Sequence, residues 1–477
     1  METSGLWMLA AVACVMLATG LPSWIVLCGV ALAFAAGGIV AGAFTPALLA
    51  ALYPRVVGLL DNDLLQALPL YVLMGVLINR LPLADILFRV ARHTLSPTGH
   101  GTPLAGLTLG VLLAPMSGSV GASVAMLART VHPRMAASGY AEDRNMALVC
   151  VASTLGVVVP PSLVLILLGD AMMRAHTEAA HIAHLAGRII NTQDVFHAAL
   201  VPAALLLVLC VIIGSLQGTR ETPRTAAEIP GRAETLTAGA AALMIVALLA
   251  AVALGRMYAV EAAATGGMAL VVYGLATRTL DRALLAEVLR ETIAIAGSLF
   301  ALLVAATLFT LVQRAFGTDR WLAASLAQFP GGPSATLAVV LACFAACALV
   351  LDAFEMIFVV VPLIAPALLA RVPDAPWVAV LTLLILQTSF LVPPLGYAVL
   401  MARGRLRSTL GMRELARALA PYVAAQALVV ALVIAFPGLL WRDDAQASAT
   451  ASPGAGKSDE ALGRMLEEQL DTQPAQK

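Results

Sequence analysis

The chain has 477 residues, of which 61% are hydrophobic and only 12% are charged, and its mean hydropathy is +0.93. A soluble globular chain has about 25% charged residues, so this composition excludes a soluble enzyme and a disordered protein. The 28 basic residues balance 28 acidic ones and form no basic stripe, which argues against nucleic-acid binding. We therefore expect a chain that is solvated mostly by lipid.

Apolar stretches long enough to cross a membrane recur along the whole chain. A spanning helix needs about 20 mostly apolar residues, and these stretches lack the alternating pattern of a transmembrane barrel. The sequence therefore predicts an all-α polytopic membrane protein. The predicted apolar stretches are 5–21, 23–44, 64–79, 102–128, 145–173, 197–216, 236–254, 257–277, 291–313, 334–370, 377–401 and 418–441.

The arginines indicate how these stretches cross the membrane, because stretches rich in arginine stay in the cytoplasm. Seventeen arginines lie in five polar stretches, at 80–100, 129–144, 217–234, 278–290 and 403–417. The spans then alternate correctly only if 102–128 and 334–370 each enter and leave the membrane on one side. Both termini are thereby predicted to lie outside, which is the periplasm of a Gram-negative cell.

Two proline pairs reveal a repeat. Pro160-Pro161 and Pro393-Pro394 are 233 residues apart, as are Pro133 and Pro366. Each pair lies in the middle of an apolar stretch and must break its helix, because proline lacks an N–H donor and clashes with the preceding turn. Lipid cannot satisfy the freed carbonyls, so we expect the breaks to face protein, water or an ion.

Upstream of each break, an apolar stretch has a polar centre, at 114–123 and at 349–356, and the same offset pairs Ser119 with Asp352. Each stretch is long enough for two half-helices, so we predict two inverted-topology repeats, each with a re-entrant helical hairpin and a Pro-broken transmembrane helix. Such repeats hold ion and substrate sites near the middle of the membrane. The predicted organisation is a first repeat at 1–216 with a hairpin near 102–134, connecting helices and cytoplasmic loops at 217–290, a second repeat at 291–441 with a hairpin near 334–370, and a polar tail at 442–477.

The candidate site residues are small and polar groups at these breaks and tips. Glycine in the run Ser117-Gly118-Ser119 permits an unwound tip whose carbonyls can ligate a hard cation, although small residues also serve helix packing. Hydroxyl and amide groups precede the proline pairs, and they either bind Na⁺ or bond back to their own helices. They belong to Ser153 and Thr154, followed by Gly156, in the first half and to Gln387, Thr388 and Ser389 in the second.

Asp352 and Glu355 are the acidic residues deepest in an apolar stretch. Carboxylates inside a membrane are costly and usually functional. Three residues apart on a helix, they can share a proton or a cation. The alternatives are a tip wetted by water or an acidic helix N-terminus that the helix dipole favours.

The polar segment 174–197 contains His181 and His184, whose spacing metal sites use. A solvated external loop is the preferred interpretation of this segment. Neither a phosphate-binding GxxxxGK[ST] motif nor an HExxH motif occurs in the chain. No enzymatic activity is therefore predicted.

The motifs together resemble a known family, the large permease subunit of TRAP (tripartite ATP-independent periplasmic) transporters. Ser117-Gly118-Ser119, Gly139-Tyr140, Gly156 and Pro160-Pro161-Ser162 resemble its first half. Asp352, Glu355 and the run Gln-Thr-Ser-Phe-Leu-Val-Pro-Pro-Leu-Gly at 387–396 resemble its second half. The segment 118–124 is most similar to the branch labelled for mannitol and chloroaromatic compounds. The resemblance extends from about residue 5 to residue 440.

This resemblance implies an elevator-type transporter that imports an organic acid with Na⁺. It implies two partners, a small four-helix membrane subunit and a periplasmic solute-binding protein that delivers the substrate. The chain departs from many relatives at Ser123, where they have an acidic or amide residue, and at 349–351, where they have glycine and a hydroxyl. Proton coupling through Asp352 or Glu355 therefore stays open.

The sequence thus predicts an inner-membrane secondary transporter with no covalent cofactor, in which Na⁺ or H⁺ is the coupling ion and a small organic anion is the substrate. One alternative is a stand-alone carrier that needs no binding protein, and another is a membrane-embedded enzyme or scaffold. The predicted ion and substrate ligands are Ser117, Gly118, Ser119, Thr154, Gly156, Asp352, Glu355, Gln387, Thr388 and Ser389. Within this set, Na⁺ is predicted at Ser117, Ser119 and Gly156, and at Asp352, Thr388 and Ser389.

Overall fold

A computed structural model describes residues 3–117, 119–183, 190–217, 230–393, 396–406 and 410–441. Within these ranges the chain forms 21 α-helices and no strand, as the apolar periodicity predicts. The helices of the first half are α1 Ser4–Thr19, α2 Ser23–Val40, α3 Leu52–Leu60, α4 Asp63–Arg80, α5 Leu83–Leu95, α6 Gly101–Leu113, α7 Val120–Thr130, α8 His132–Ala137, α9 Glu142–Val158, α10 Leu163–Ala183 and α11 Thr192–Leu216.

The second half is equally helical. Its helices are α12 Arg232–Ala253, α13 Ala259–Ala276, α14 Arg282–Ala315, α15 Thr318–Ala327, α16 Gly332–Ala348, α17 Ala353–Glu355, α18 Val361–Leu369, α19 Ala375–Leu391, α20 Tyr397–Leu406 and α21 Met412–Ala435. A π-helical turn, Met356–Val360, joins α17 to α18. Among the described residues, six helices are long and apolar enough to cross a membrane, or up to eight if each of two bent pairs is one span.

The first predicted hairpin consists of α6 and α7, with a 3₁₀ turn at Pro115–Ser117 in the tip between them. The hydroxyl groups of Thr102, at the start of α6, and Ser138, just after α8, lie 3.4 Å apart. The chain therefore returns to the side from which it entered, which is the definition of a re-entrant hairpin. Ten of the 13 residues of α6 and six of the 11 residues of α7 are buried in protein, and residues 114–116 at the tip are buried as well, so the tip avoids lipid.

The second hairpin consists of α16, a short tip, and α17 to α18. Its base is closed by Arg371, whose guanidinium donates to the Thr336 hydroxyl at 2.8 Å and to the Phe329 carbonyl at 3.1 Å. Thr336 lies in the first turns of α16 and Arg371 follows α18, so this hairpin also begins and ends on one side.

The helix boundaries repeat at the offset of the prolines. The starts of α7 and α17, at Val120 and Ala353, are 233 residues apart, and so are the starts of α9 and α19 and the ends of the same two helices. The two halves therefore form the same sequence of elements, a hairpin arm followed by a helix that stops before a proline pair. The first break bends α9 against α10 by 41°.

Helices α2, α4, α13 and α14 form a packed group outside the hairpins. Helix α4 packs on α13 and α14, and α2 packs along α14. Helix α14 has 34 residues and is about 51 Å long at 1.5 Å per residue. It begins at Arg282, so most of the stretch 278–290, which the sequence indicates as polar, is an extension of this helix.

An amphipathic helix, α5, links this group to the first hairpin. Its buried residues Leu83, Leu87 and Phe88 lie on one face, and Arg134 of α8 stacks over the Phe88 ring at 5.1 Å. Beside it, the His132 carbonyl accepts a hydrogen bond from Asn145 at 2.8 Å. Burial lowers the pKa of the His132 imidazole below its ordinary value, and the nearby Glu142 carboxylate partly opposes this shift.

One expectation from the sequence is wrong. The segment 174–197 is not an external loop throughout, because α10 continues to Ala183 and α11 begins at Thr192. Residues 170–183 contain neither glycine nor proline and are rich in alanine and methionine, which favour a helix. His181 is an exposed residue of α10, while His184 and the tail 442–477 lie outside the described residues.

Candidate functional site

The tips of both hairpins end in a residue that begins a helix. Ser119 precedes α7 in an extended conformation, with φ −152° and ψ 135°, and Asp352 precedes α17 with φ −73° and ψ 168°. Equivalent positions of the two repeats thus start equivalent arms. The first N–H groups of a helix have no partner within the helix and carry partial positive charge, so both starts favour an anion.

Asp352 and Glu355 form a capping box at the second tip. An Asp352 carboxylate oxygen accepts from the Ala353 N–H at 2.7 Å, and a Glu355 carboxylate oxygen accepts from the Asp352 N–H at 3.0 Å. The geometry is therefore that of the acidic helix N-terminus. Glu355 is only 4% exposed and also interacts with the hydroxyl of Ser23, the first residue of α2.

Hydroxyl groups before the proline breaks bond to their own helices. Thr154 donates to the Val151 carbonyl at 2.9 Å, and Ser389 donates to the Leu386 carbonyl at 2.7 Å. Thr388 donates in the same way to a carbonyl one turn earlier. Each donated proton leaves the oxygen lone pairs available, so these groups remain acceptors for a cation.

A small central cavity of about 20 Å³, room for about one water molecule, brings the two halves together. Its walls include Ser119 and Asp352, one from each hairpin tip, and Gly156 from the end of α9. Tips from two different repeats therefore share one small space beside the first proline break. Three serine side chains add hydroxyl groups to its lining, at Ser123, Ser153 and Ser162.

Gly156 lets the first hairpin approach the broken helix. A Cβ atom at this position would lie 2.4 Å from both the carbonyl carbon and the Cβ of Ala114, which is the first residue after α6. Gly110 makes the same kind of contact, since a Cβ there would lie 2.3 Å from the Ala152 carbonyl oxygen. Helices α6 and α9 are therefore in backbone contact along two turns, and this contact fixes the position of the tip.

Gln387 is fully buried, and neither its amide oxygen nor its amide nitrogen has a hydrogen-bond partner among the described residues. An orphaned buried amide costs free energy, about 1–3 kcal/mol by comparison with a satisfied group. The residue lies in the last turns of α19, six residues before Pro393. Such an amide is suited to a ligand or a partner that arrives in another state of the protein.

The structure gathers some predicted site residues and separates others. Ser119, Gly156 and Asp352 line the central cavity, whereas Thr154, Glu355, Gln387, Thr388 and Ser389 do not. The predicted Na⁺ set of Asp352, Thr388 and Ser389 is thus not assembled in one cavity here. Gly118, Pro394 and the side chain of Ser117 lie outside the described residues.

Tyr397 is a neighbour of the site that the sequence analysis does not single out. Its hydroxyl oxygen would lie 3.0 Å from a Cβ on Gly121, and its ring packs near Phe390 with centroids 6.3 Å apart. It begins α20, three residues after Pro394. Its closeness to the proline pair is a signal that the sequence contains.

Two larger cavities lie at opposite ends of α4 and α14. The arginine cavity, about 450 Å³, is lined by Arg80, Arg129 and Arg405 and shares Ser119 with the central cavity. The distal cavity, also about 450 Å³, is lined by three other arginines, Arg55, Arg174 and Arg314. Here Arg314 pairs with Glu178 of α10 at 2.8 Å. The three arginines of the arginine cavity belong to the stretches predicted to be cytoplasmic, whereas those of the distal cavity lie outside these stretches.

Two re-entrant hairpins, two helices broken at proline pairs and a shared polar cavity between the tips define an inverted-repeat membrane transporter. A family model described as "Tripartite ATP-independent periplasmic transporter, DctM component" matches residues 10–439. The chain belongs to this family, the large permease subunits of TRAP transporters, and it is therefore a transporter subunit and not an enzyme.

Individual relatives agree with this membership. The chain is 21% identical to "Putative TRAP transporter large permease protein" of Haemophilus influenzae over 80% of this chain and 91% of that protein. It is 24% identical to "Sialic acid TRAP transporter large permease protein SiaM" of Vibrio cholerae, over 80% of this chain and 86% of that one. It is 25% identical to "Ectoine TRAP transporter large permease protein TeaC" of Halomonas elongata, over 78% of this chain and 84% of that one.

A solved structure has the same fold. The YdaH transporter of Alcanivorax borkumensis aligns over 82% of this chain and 88% of its own with a TM-score of 0.55, at 16% sequence identity. At this identity the likeness concerns the fold alone. The similarity of the segment 118–124 to the mannitol and chloroaromatic branch stays a prediction.

Proposed function

We propose that this chain imports a small organic acid across the bacterial inner membrane, driven by a Na⁺ gradient. It works with a small four-helix membrane subunit and with a periplasmic binding protein that delivers the substrate. Both of its termini lie in the periplasm. The second candidate is a stand-alone Na⁺- or H⁺-coupled anion carrier that needs no binding protein.

The observation that carries this proposal is the central cavity between the hairpin tips. Ser119 and Asp352 come from different repeats yet line the same space, and each precedes the start of a helix. The partial positive charge of a helix N-terminus attracts a substrate carboxylate. The Asp352 carboxylate attracts a cation to the same place, so that ion and anion stabilise one another there.

The oxygen donors near the tips suit Na⁺, which binds carbonyl, hydroxyl and carboxylate groups. In the first half-site we assign Na⁺ to Ser117, Ser119 and Gly156. In the second half-site, Asp352, Thr388 and Ser389 are the proposed ligands, and the orphaned amide of Gln387 supports an additional ligand close by. Because Thr388 and Ser389 do not line the cavity that Asp352 lines, we propose that this second site assembles when the hairpin moves.

The transport cycle would consist of movement of the hairpins and broken helices against α2, α4, α13 and α14. A substrate held between the tips would be exposed first to one side of the membrane and then to the other. Binding of Na⁺ and of substrate in one cavity couples their free energies, so that each raises the affinity for the other. The Na⁺ gradient then drives uptake of the organic acid.

The substrate class is supported by the relatives. Their names specify C4-dicarboxylates, sialic acid and ectoine, and each of these compounds carries at least one carboxylate. We therefore propose a small carboxylate for this chain, with most of the discrimination among carboxylates made by the binding protein.

The test is uptake in proteoliposomes that contain this chain and its small subunit. Labelled organic acids are offered with and without the binding protein, under an imposed Na⁺ or proton gradient. The proposal predicts uptake only when the binding protein and inward Na⁺ gradient are both present. Uptake driven by protons alone would assign coupling to Asp352 and Glu355, and uptake without a binding protein would favour the stand-alone carrier.

A further inference from the structure

The arginine cavity is an open space of about 450 Å³ beside the candidate site. Three arginines and one acidic residue line it, namely Arg80, Arg129, Arg405 and Glu291. It shares the lining residue Ser119 with the central cavity. A substrate that leaves the hairpin tips toward the arginine-rich side would enter this space.

Its charges are not equivalent. Arg80 is neutralised, because it pairs with Glu287 at 3.0 Å and with Glu291 at 2.8 Å. Arg129 donates to the Asn79 carbonyl oxygen and keeps its charge. Among the described residues, neither Arg129 nor Arg405 has a carboxylate within ion-pair distance. The Arg80 cluster with its two carboxylates therefore has a net charge of −1, whereas Arg129 and Arg405 are two positive charges with no paired carboxylate, so the cavity and its rim have a net charge of +1.

Arg129 and Arg405 line the cavity together with one face of α7. Residues 122, 125 and 129 of this helix all line the cavity and are spaced by three and four positions, so they share one face that leads from the tip to Arg129. Arg405, near the end of α20, faces the same space from another helix. Guanidinium groups from two helices that converge on one open cavity bind a carboxylate well, since each offers several donors in a planar fork.

We propose that the arginine cavity is an anion-binding vestibule, in which Arg129 and Arg405 bind the carboxylate of the substrate between the central cavity and bulk water. This inference rests on the proposed function and adds a second, outer site to it. The same field repels a cation, so Na⁺ leaves the vestibule readily while the carboxylate is held. The vestibule thereby sets the affinity for substrate on the arginine-rich side and so the strength of inhibition by accumulated product.

The test uses Ala125→Cys, which places a thiol on the lining between Ser119 and Arg129. We would measure its rate of modification by an anionic and by a cationic methanethiosulfonate reagent, added from each side of oriented vesicles, with the rate of the unsubstituted chain subtracted. The anionic reagent is expected to react faster, and only from the arginine-rich side. Replacing Arg129 or Arg405 by glutamine is expected to lower the anionic-to-cationic rate ratio about fivefold, as one charge at a distance of several ångström predicts in water.

Arg403→Gln is the matched control, because Arg403 is on the same helix as Arg405, carries the same charge and contacts Met412 instead of lining the cavity. It is expected to change the ratio less than twofold. Millimolar succinate should slow modification of Ala125→Cys, and Arg405→Gln should abolish this protection. The inference is overturned if the ratio is insensitive to Arg129 and Arg405, or if the thiol reacts with neither reagent. Since no uptake is measured, this result is independent of whether Na⁺-driven transport is found.

Discussion

The contact between Gly156 and Ala114 provides the sharpest test of how the central cavity is built. In Gly156→Ala the new methyl group would lie 2.4 Å from two atoms of Ala114 and 2.6 Å from the Pro115 nitrogen. Two of these three atoms are backbone, so no side-chain rotation relieves the clash. Ordinary contact begins near 3.4 Å, and the tip of the first hairpin must therefore move by about 1 Å away from α9.

The energetic cost follows from two opposing terms. Overpacking of a buried contact costs about 1–3 kcal/mol, and the better helix propensity of alanine returns about 1 kcal/mol. We expect a net loss of about 0–2 kcal/mol in stability. The effect on function should be larger, because Ser119 moves with the tip, and errors of about 1 Å in a binding geometry can cost about 100-fold in rate.

The assay compares Gly156→Ala with Gly297→Ala in the proteoliposome system. Gly297 lies in the middle of α14 with no atom within 4 Å of its Cβ position, so the same substitution should leave uptake unchanged and stability equal or higher. Thermal unfolding in detergent separates misfolding from misplacement of the tip. Uptake by Gly156→Ala at the rate of the unsubstituted chain would refute the argument that this close approach positions the site.

Three further results are expected. Asp352→Asn should abolish Na⁺-driven uptake while the melting temperature changes little, because asparagine caps a helix as well as aspartate but carries no charge. Gln387→Met should leave stability unchanged or raise it by about 1–3 kcal/mol, because two unsatisfied buried atoms disappear, and should reduce uptake in a Na⁺ titration. Stability should fall as the pH drops below about 6.5, the ordinary pKa of histidine. Burial favours neutral His132 in the folded state, so protons bind the unfolded chain more readily. Melting temperatures at several pH values measure this loss, and His132→Phe should remove it.

Two of these have a matched control. Asp281 also caps a helix, since it accepts from the Leu284 N–H at 2.7 Å at the exposed start of α14, so Asp281→Asn should leave uptake intact. Loss of uptake there as well would attribute the effect to capping. Unchanged uptake in Gln387→Met would exclude the amide as a ligand. Persistence of the acid-induced loss in His132→Phe, and its absence in the exposed-site variant His93→Phe, would contradict the assignment to His132.

Much of the fold could be predicted because the membrane limits the choices. Backbone groups in lipid must be satisfied within a helix, so apolar length alone locates the spans. The proline pairs predict both breaks, because proline interrupts the hydrogen bonding of a helix. Helices α9 and α19 indeed end at Val158 and Leu391, two residues before each pair. The segment 174–183 was misassigned because polarity does not distinguish a loop from a helix that projects beyond the lipid.

The site was only partly predictable, because a polar residue near a break can face either the cavity or its own helix. Ser119 and Asp352 were found through the repeat. Thr388 and Ser389 are adjacent hydroxyl residues of the kind that binds a cation, yet their hydroxyls donate to carbonyls within α19. Which face a side chain occupies depends on how α19 packs against other helices, and this information lies in long-range contacts that a local motif does not contain.

Because the two halves are inverted repeats, the conformation of one half can be used to predict an alternative conformation of the other half. The 233-residue offset maps Gly121 onto Phe354 and Tyr397 onto Val164. The first member of each correspondence lines the arginine cavity, and both counterparts line the central cavity. If the two halves exchange conformations, the pair Val164 and Phe354 takes over the arrangement that Gly121 and Tyr397 have now, and the opening moves to the other membrane face. In such an exchange, each repeat would adopt the conformation that the other repeat has in this structure.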